Sequence, residues 1–304
     1  MTGRGLLLFA VAAALWGGSY LFIKVALDDG VSEPFIVFSR TLLGALVLVP
    51  LGLRAGALRP LLQRGWWIVG LAGLQVVLPF GLITYGERSL HSGLAGVLIA
   101  SSPLFLALIA LRVDREERSE GWALVGLLVG IAGVAVLFGA DLTGDADALL
   151  GGVMILGAAL SYAAAVLIVK RRFTGVAPVG VAASTMVVSS VAWLPAALLT
   201  APSAVPPADS VLSLLVLGAG GTGIAFYCFY TLISDVGPAR ASLVAYVAPA
   251  FAVVYGVTLL DEPLTAGTVI GLALILGGSW LAAGGRLSRS APSRSSAPAP
   301  ARAR

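Results

Sequence analysis

Two cations, Lys24 and Arg40, fall inside otherwise uncharged apolar runs. A charge near the centre of a bilayer costs about 2.5–3.5 kcal/mol on insertion scales, so such a side chain faces a cavity or a partner. Arg40 stands six residues beyond Pro34, about 9 Å along a helix. There it either holds a substrate's negative charge or pairs with helix-end carbonyls. Lys24 lies nearer the end of its run and reads as a side chain reaching for the interface. Trp16, Tyr20, Tyr85, Tyr162, Tyr227, Tyr230 and Tyr246 also lie within apolar runs. As a set they are candidates to line an apolar pocket with scattered hydroxyls, the usual form of a small-molecule site; for each, packing is the alternative. Trp66, Trp67 and Trp122 stand at the starts of runs, where interfacial anchoring accounts for them.

The remaining chemistry is sparse. One histidine (His91) and one cysteine (Cys228) make neither a His-x-x-x-His site nor a disulfide framework, and no metal or cofactor is expected. Ser101, Ser102 and Ser161 have no activating partner in sight, so a membrane-embedded enzyme is disfavoured. No Asp or Glu lies deep in an apolar run, which argues against a buried carboxylate relay. Glu117 and Glu262 fall in turns and read as helix-start stabilisers. Gly218, Gly220 and Gly223 spell G-x-G-x-x-G, but without a strand–turn–helix context the pattern means close packing or local unwinding, not a dinucleotide. Gly126-x-x-x-Gly130 likewise reads as internal packing in preference to dimerisation.

The elements that must position these residues follow from composition. The chain is 59% hydrophobic and 11% charged, against roughly 25% charged in soluble domains, so it is an integral membrane protein. Ten apolar runs, each about 20 residues and long enough to cross a bilayer, lie near 5–27, 34–53, 66–86, 92–111, 122–140, 149–169, 178–200, 211–234, 238–260 and 265–284. The fourth and ninth carry Pro103 and Pro249 near their middles. Membrane helices tolerate such prolines where neighbours or cavity water satisfy the freed carbonyl, and paired irregular helices point to a transport site. The tail from 286 to 304 holds only Leu, Ser, Pro, Ala and Arg and is expected to be a disordered, basic, cytoplasmic segment.

Charge sets the expected orientation. With the N-terminus inside, 16 of the 19 Lys and Arg fall on inner segments, only Arg88 lies on an outer loop, and Lys24 and Arg40 lie within spans. That asymmetry places both termini in the cytoplasm. The basic residues form no single patch, so nucleic acid is not an expected partner; the bilayer and a small molecule are.

The two halves also match. A shift of 146 superposes Trp16 on Tyr162, Phe80 on Phe226, Pro103 on Pro249 and Lys24 on Lys170; a shift of 145 superposes Glu117 on Glu262, Gly126 on Gly271 and Gly133 on Gly278. Five spans per half is an odd number, so the halves insert upside down relative to each other. The expected fold is all-α, with ten transmembrane helices in two inverted five-helix repeats, residues 1–147 and 148–285, and a site between them.

The stretch ALWGGSYLFIK at 14–24, FSRTLLGA around Arg40, the Pro103 and Pro249 helices and the duplicated Glu-plus-glycine endings at Glu117 and Glu262 resemble the EamA-type drug/metabolite transporters over about residues 5–285. The resemblance implies inverted repeats, a central cavity lined mainly by the first four helices of each repeat, and export of metabolites or amino acids. One departure is Ser161–Ala163, where the second repeat more often carries Trp and Tyr162 fills the place. The sequence thus points to a secondary transporter in the plasma membrane, an exporter working by alternating access, with a multidrug efflux pump as the alternative. Its expected substrate-binding residues are Trp16, Tyr20, Arg40, Tyr85, Pro103, Tyr162, Tyr227, Tyr246 and Pro249. Monomer and homodimer are both left open.

Overall fold

The computed structural model describes residues 3–113, 122–142 and 144–282, and among these the chain is all helix and turn with no strand. Among the described residues, eight helices are long and apolar enough to cross a membrane: α1 (Gly3–Asp28), α2 (Glu33–Arg54), α3 (Gly65–Gly86), α4 (Ser92–Ile109), α5 (Leu124–Asp141), α6 (Ala146–Arg172), α7 (Pro178–Leu199) and α8 (Ala208–Val236). Two shorter apolar helices follow, α9 (Val244–Leu259) and α10 (Ala266–Ala282). The expected tail and Glu117 lie outside the described residues.

Local chemistry sets the helix ends. In α2, Pro34 takes a first-turn position beside acidic Glu33, and Arg54 sits in the last turn, matching the helix dipole at both ends. Asp145 caps α6 by accepting from the Asp147 and Ala148 N–H groups, and Lys170, Arg171 and Arg172 close its last turn. The burial pattern is that of a protein in lipid. Leu46, Leu128, Val191, Leu198 and Leu212 are exposed on helix flanks, whereas Arg40, Thr41, Thr222 and Ser189 are buried.

The helices pack in exchanged pairs: α2 on α7, α4 on α9 and α5 on α10; α1 on α9 and α6 on α4; α1 on α8 and α6 on α3; α2 on α8 and α7 on α3. Advancing every label by five, with return to α1 after α10, turns this set into itself. The α5–α10 contact gives the geometry in detail. A Cβ on Gly126 would strike Gly278, and one on Gly133 would strike Gly271, so the two helices run antiparallel with equivalent glycines meeting crosswise. Gly126, Gly130 and Gly278 are thus used for packing within the chain, backbone against backbone.

The irregular segments differ from the sequence expectation. The α4 span breaks at Ala100–Ser101, with Pro103 just inside the second segment, which begins at Ser102. Pro249 sits inside an unbroken Val244–Leu259, and the discontinuity on its N-terminal side falls at 242–243, after the short helix Pro238–Ala241. The irregularity that the halves do share is a stretch of π-helix, Gly73–Val77 in α3 and Val216–Ile224 in α8, and the 146-residue offset lays one on the other. Proline removes a donor only from its own turn, whereas a π stretch inserts a residue and shifts the ladder, which often marks functional sites. Freed carbonyls find side-chain donors: Ser161 Oγ donates to Leu74 O at 2.7 Å and Ser279 Oγ to Ala100 O at 3.3 Å. In α8 the π stretch carries Gly218 and Gly223, which lie against Leu43 and Val47 of α2, so the glycine pattern serves close packing and irregular winding together.

Candidate functional site

The two π stretches meet at Arg40. The guanidinium carbon lies 3.7 Å from the centroid of the Phe80 ring, a cation–π distance, and Nε donates to Thr222 Oγ1 at 3.0 Å. Phe80 follows the π stretch of α3, and Thr222 lies inside that of α8. Thr222 in turn donates to Leu217 O, five residues back, at 3.1 Å, the spacing of a π turn. Arg40 itself is 7% exposed, so its charge is held within the bundle at a junction of α2, α3 and α8.

Aromatic rings extend from this point. Tyr162, Phe226 and Tyr230 pack against the buried cluster that includes Val37, Val76, Phe80 and Met186. Phe226 lies 5.7 Å from Tyr230 and 5.7 Å from Trp16, ring centre to ring centre, and Trp16 lies 4.9 Å from Phe229. Tyr20 is half-buried in α1, with its ring near Gly96 of α4. The result is a seam with a cation at one point and several π faces beside it, suited to a ligand carrying a carboxylate and an apolar or aromatic body.

The expected site residues divide. Trp16, Tyr20, Arg40 and Tyr162 face the interior seam or its border. Tyr85 and Tyr227 are 38% and 46% exposed, on flanks away from it. Pro103 is half-buried, Pro249 is buried within α9 and Tyr246 is half-buried one turn before it, none in the ring contacts described. Tyr230, one of the in-span tyrosines singled out in the sequence, joins the seam, while Phe80, Thr222, Phe226 and Phe229 enter from the structure; of these, Phe80 and Phe226 were visible as a matched pair in the sequence. Two hollows lie elsewhere. One of about 230 Å³ is lined by His91, Asp141, Glu262, Thr265 and Thr268, and an open groove of about 730 Å³ runs between α2, α3 and α7 past Val49, Leu61, Trp66 and Val187. Neither includes Arg40.

The same offset of 146 supplies a control within the molecule, because it sets Met186 opposite Arg40 and Val76 opposite Thr222. Both are fully buried in one apolar cluster. The fold therefore closes this junction with Met and Val in one half and with Arg and Thr in the other, and packing alone does not require the charge.

The carboxylates near the α3–α4 turn have distinct roles. Glu262 accepts from the Ser92 N–H at 2.6 Å and the Gly93 N–H at 2.9 Å, capping α4 from the far end of the chain. This is helix-start stabilisation, with the carboxylate at the positive end of the dipole. Replacing Glu262 by Ala leaves two buried N–H groups unpaired, and the loss is expected to be about 3 kcal/mol, since a hydrogen bond to a charged group contributes roughly 1.5–3 kcal/mol; thermal unfolding of the purified protein in detergent measures it. Glu87, in contrast, is 0% exposed and both its oxygens are without partners. The absence of deep in-span carboxylates, which argues against a buried relay, does not extend to this residue: it reads as a turn in sequence, yet Lys24 of α1 and Gly151 and Ile155 of α6 lie against the end of α3. Lys24 does not simply reach for the interface, since Nζ donates to Glu87 O at 3.3 Å and pairs with Asp28 at 3.3 Å.

Comparison with known proteins agrees with this architecture. The transporter YedA of Escherichia coli K12, named as an uncharacterized inner membrane transporter, is 30% identical over 273 residues, 86% of this chain and 85% of its own. An aromatic amino acid exporter, YddG of Ancylobacter novellus, is 27% identical over 268 residues, 84% of this chain and 89% of its own. A solved crystal structure with 24% identity superposes with a TM-score of 0.63, covering 93% of this chain and 98% of the other, which is a likeness of fold. Residues 3–139 and 149–284 each match the EamA-like transporter family, in two successive copies, and the chain belongs to that family.

Proposed function

We propose that this protein is a secondary transporter that exports small organic metabolites bearing a carboxylate, amino acids or related compounds, by alternating access. In this reading its ten helices form two inverted five-helix repeats, residues 1–147 and 148–285, which rock against each other around Arg40 and the aromatic seam. The observation that carries the reading is the unequal pair of junctions, Arg40–Thr222 against Met186–Val76: a buried cation that packing does not require has its use in ligand binding. The exchanged helix contacts and the crosswise glycines of α5 and α10 support the inverted repeat. Adjacent aromatic rings and the name of one relative favour aromatic amino acids among the substrates, with Trp16, Tyr20 and Tyr162 as wall residues. A panel of labelled metabolites, including phenylalanine, its amide and a cationic dye, tests the proposal with the purified chain in liposomes. Uptake of phenylalanine above that of the amide supports it; uptake of the dye alone would favour multidrug efflux.

The topology follows from charge asymmetry, with both termini on the cytoplasmic side of the cell membrane. In a Cys228→Ser background, a cysteine introduced at Asp145 is expected to react with an impermeant maleimide added to whole cells, and one at Gly175 is expected not to. The reverse pattern, or equal labelling, removes the inverted arrangement.

A further inference from the structure

Glu87 ends α3, its N–H donating to Ile83 O at 2.9 Å, and among the described residues it is the carboxylate with both oxygens buried and unpartnered. The charged and titratable groups that act on it come from three other elements. From α1 come Lys24, bonded to its backbone carbonyl, and Tyr20; from α2 comes Arg40, and from the turn after α9 comes Glu262. Ser92, which opens α4 five residues on, has a buried hydroxyl that is also unpartnered. The α6 residues against this end of α3, Gly151 and Ile155, carry no charge. Burial pushes the Glu87 carboxyl well above the usual carboxylate range, Arg40 and Lys24 pull it back, and Glu262 adds to the rise.

We propose that Glu87 is a proton site of the transport cycle, taking up a proton when a substrate carboxylate occupies Arg40 and releasing it when that carboxylate leaves. This rests on the reading of Arg40 as the substrate anchor. Burial disfavours the ionised form of Glu87, because no hydrogen bond compensates its lost hydration, and the fields of Arg40 and Lys24 are what oppose this. A substrate carboxylate at Arg40 neutralises the larger of these fields and adds a like charge, so the carboxyl protonates. By linkage, a protonated Glu87 leaves more of the Arg40 field for the substrate, and each event favours the other to the same degree. The proton comes from the aqueous side to which the site is open and returns to water on the side where it next opens, so proton and substrate move in the same direction, outward when the substrate's own gradient drives export.

The full-length chain in liposomes, with a pH-sensitive dye trapped inside and a gradient of labelled phenylalanine as the probe, reads the coupling directly. Inward phenylalanine movement is expected to acidify the interior, and in Glu87→Gln the ratio of protons to phenylalanine is expected to fall at least tenfold. Acidification that persists at the same ratio in Glu87→Gln, or phenylalanine movement without acidification in the unaltered chain, overturns the proposal. Infrared titration of the same membranes gives a second readout that needs no transport. A protonated-carboxyl absorption is expected whose midpoint lies above the usual carboxylate range and rises further when phenylalanine is added, absent in Glu87→Gln and with its substrate-free midpoint raised in Arg40→Met; its absence from the unaltered chain, or an unmoved midpoint, overturns the proposal. If phenylalanine does not move in any variant, the substrate reading of Arg40 fails for that probe, and the infrared result still decides whether Glu87 holds the proton.

Discussion

Replacing Arg40 by Met is expected to lower transport of phenylalanine about 30-fold relative to the unaltered chain, while transport of its ester or amide, which lack the carboxylate, changes by less than about 3-fold. A charge-assisted bond to a carboxylate is worth roughly 2 kcal/mol, and each 1.4 kcal/mol is about tenfold in an equilibrium constant. Met is the choice because the molecule already uses it at the equivalent junction, where Met186 packs beside Val76. Removing one member of a buried charged pair is costly when a partner is stranded, but Thr222 keeps its bond to the Leu217 carbonyl, and Phe80 gains an apolar neighbour. The variant should therefore insert and remain monodisperse by size-exclusion chromatography. An equal loss for probes with and without the carboxylate, with folded protein lost in step, would make Arg40 a structural residue and end the case for anion recognition.

The second large effect concerns the α5–α10 contact. Gly278→Leu is expected to abolish accumulation of monodisperse protein, because a side chain there meets Gly126 O and the backbone of Gly130. Overpacking a core costs typically 1–3 kcal/mol when side chains can yield, and here the obstacle is main chain. The neighbouring Gly277 provides the control, since a Cβ at that position has nothing within 4 Å and Gly277→Leu should behave as the unaltered chain does. Fluorescence-detected size exclusion of the two variants side by side measures the difference. Equal, normal elution of both would mean that α5 and α10 do not pack this way in the membrane.

Composition and periodicity were enough to determine the class of molecule. The apolar runs had to become helices because a bilayer offers no partner for backbone N–H and C=O groups, and the matches of Pro103 with Pro249 and Glu117 with Glu262 already carried the duplication. Arg40 stood out for the same reason, as a charge that lipid would not accept. What the tertiary structure decided is which side chains come together. Tyr85 and Tyr227 are as plausible on paper as Tyr162, and only the rotation of each helix in the bundle puts the first two outward. Thr222 and Phe80 lie on helices from opposite halves of the chain, and their meeting at Arg40 depends on where the π stretches shift the helical ladder, which depends on backbone geometry that no residue type announces. Glu87 is the sharpest case: beside Arg88 and Ser89 it reads as an exposed turn, and it is buried because helices far from it in sequence close over the end of α3, a condition that only the assembled fold imposes.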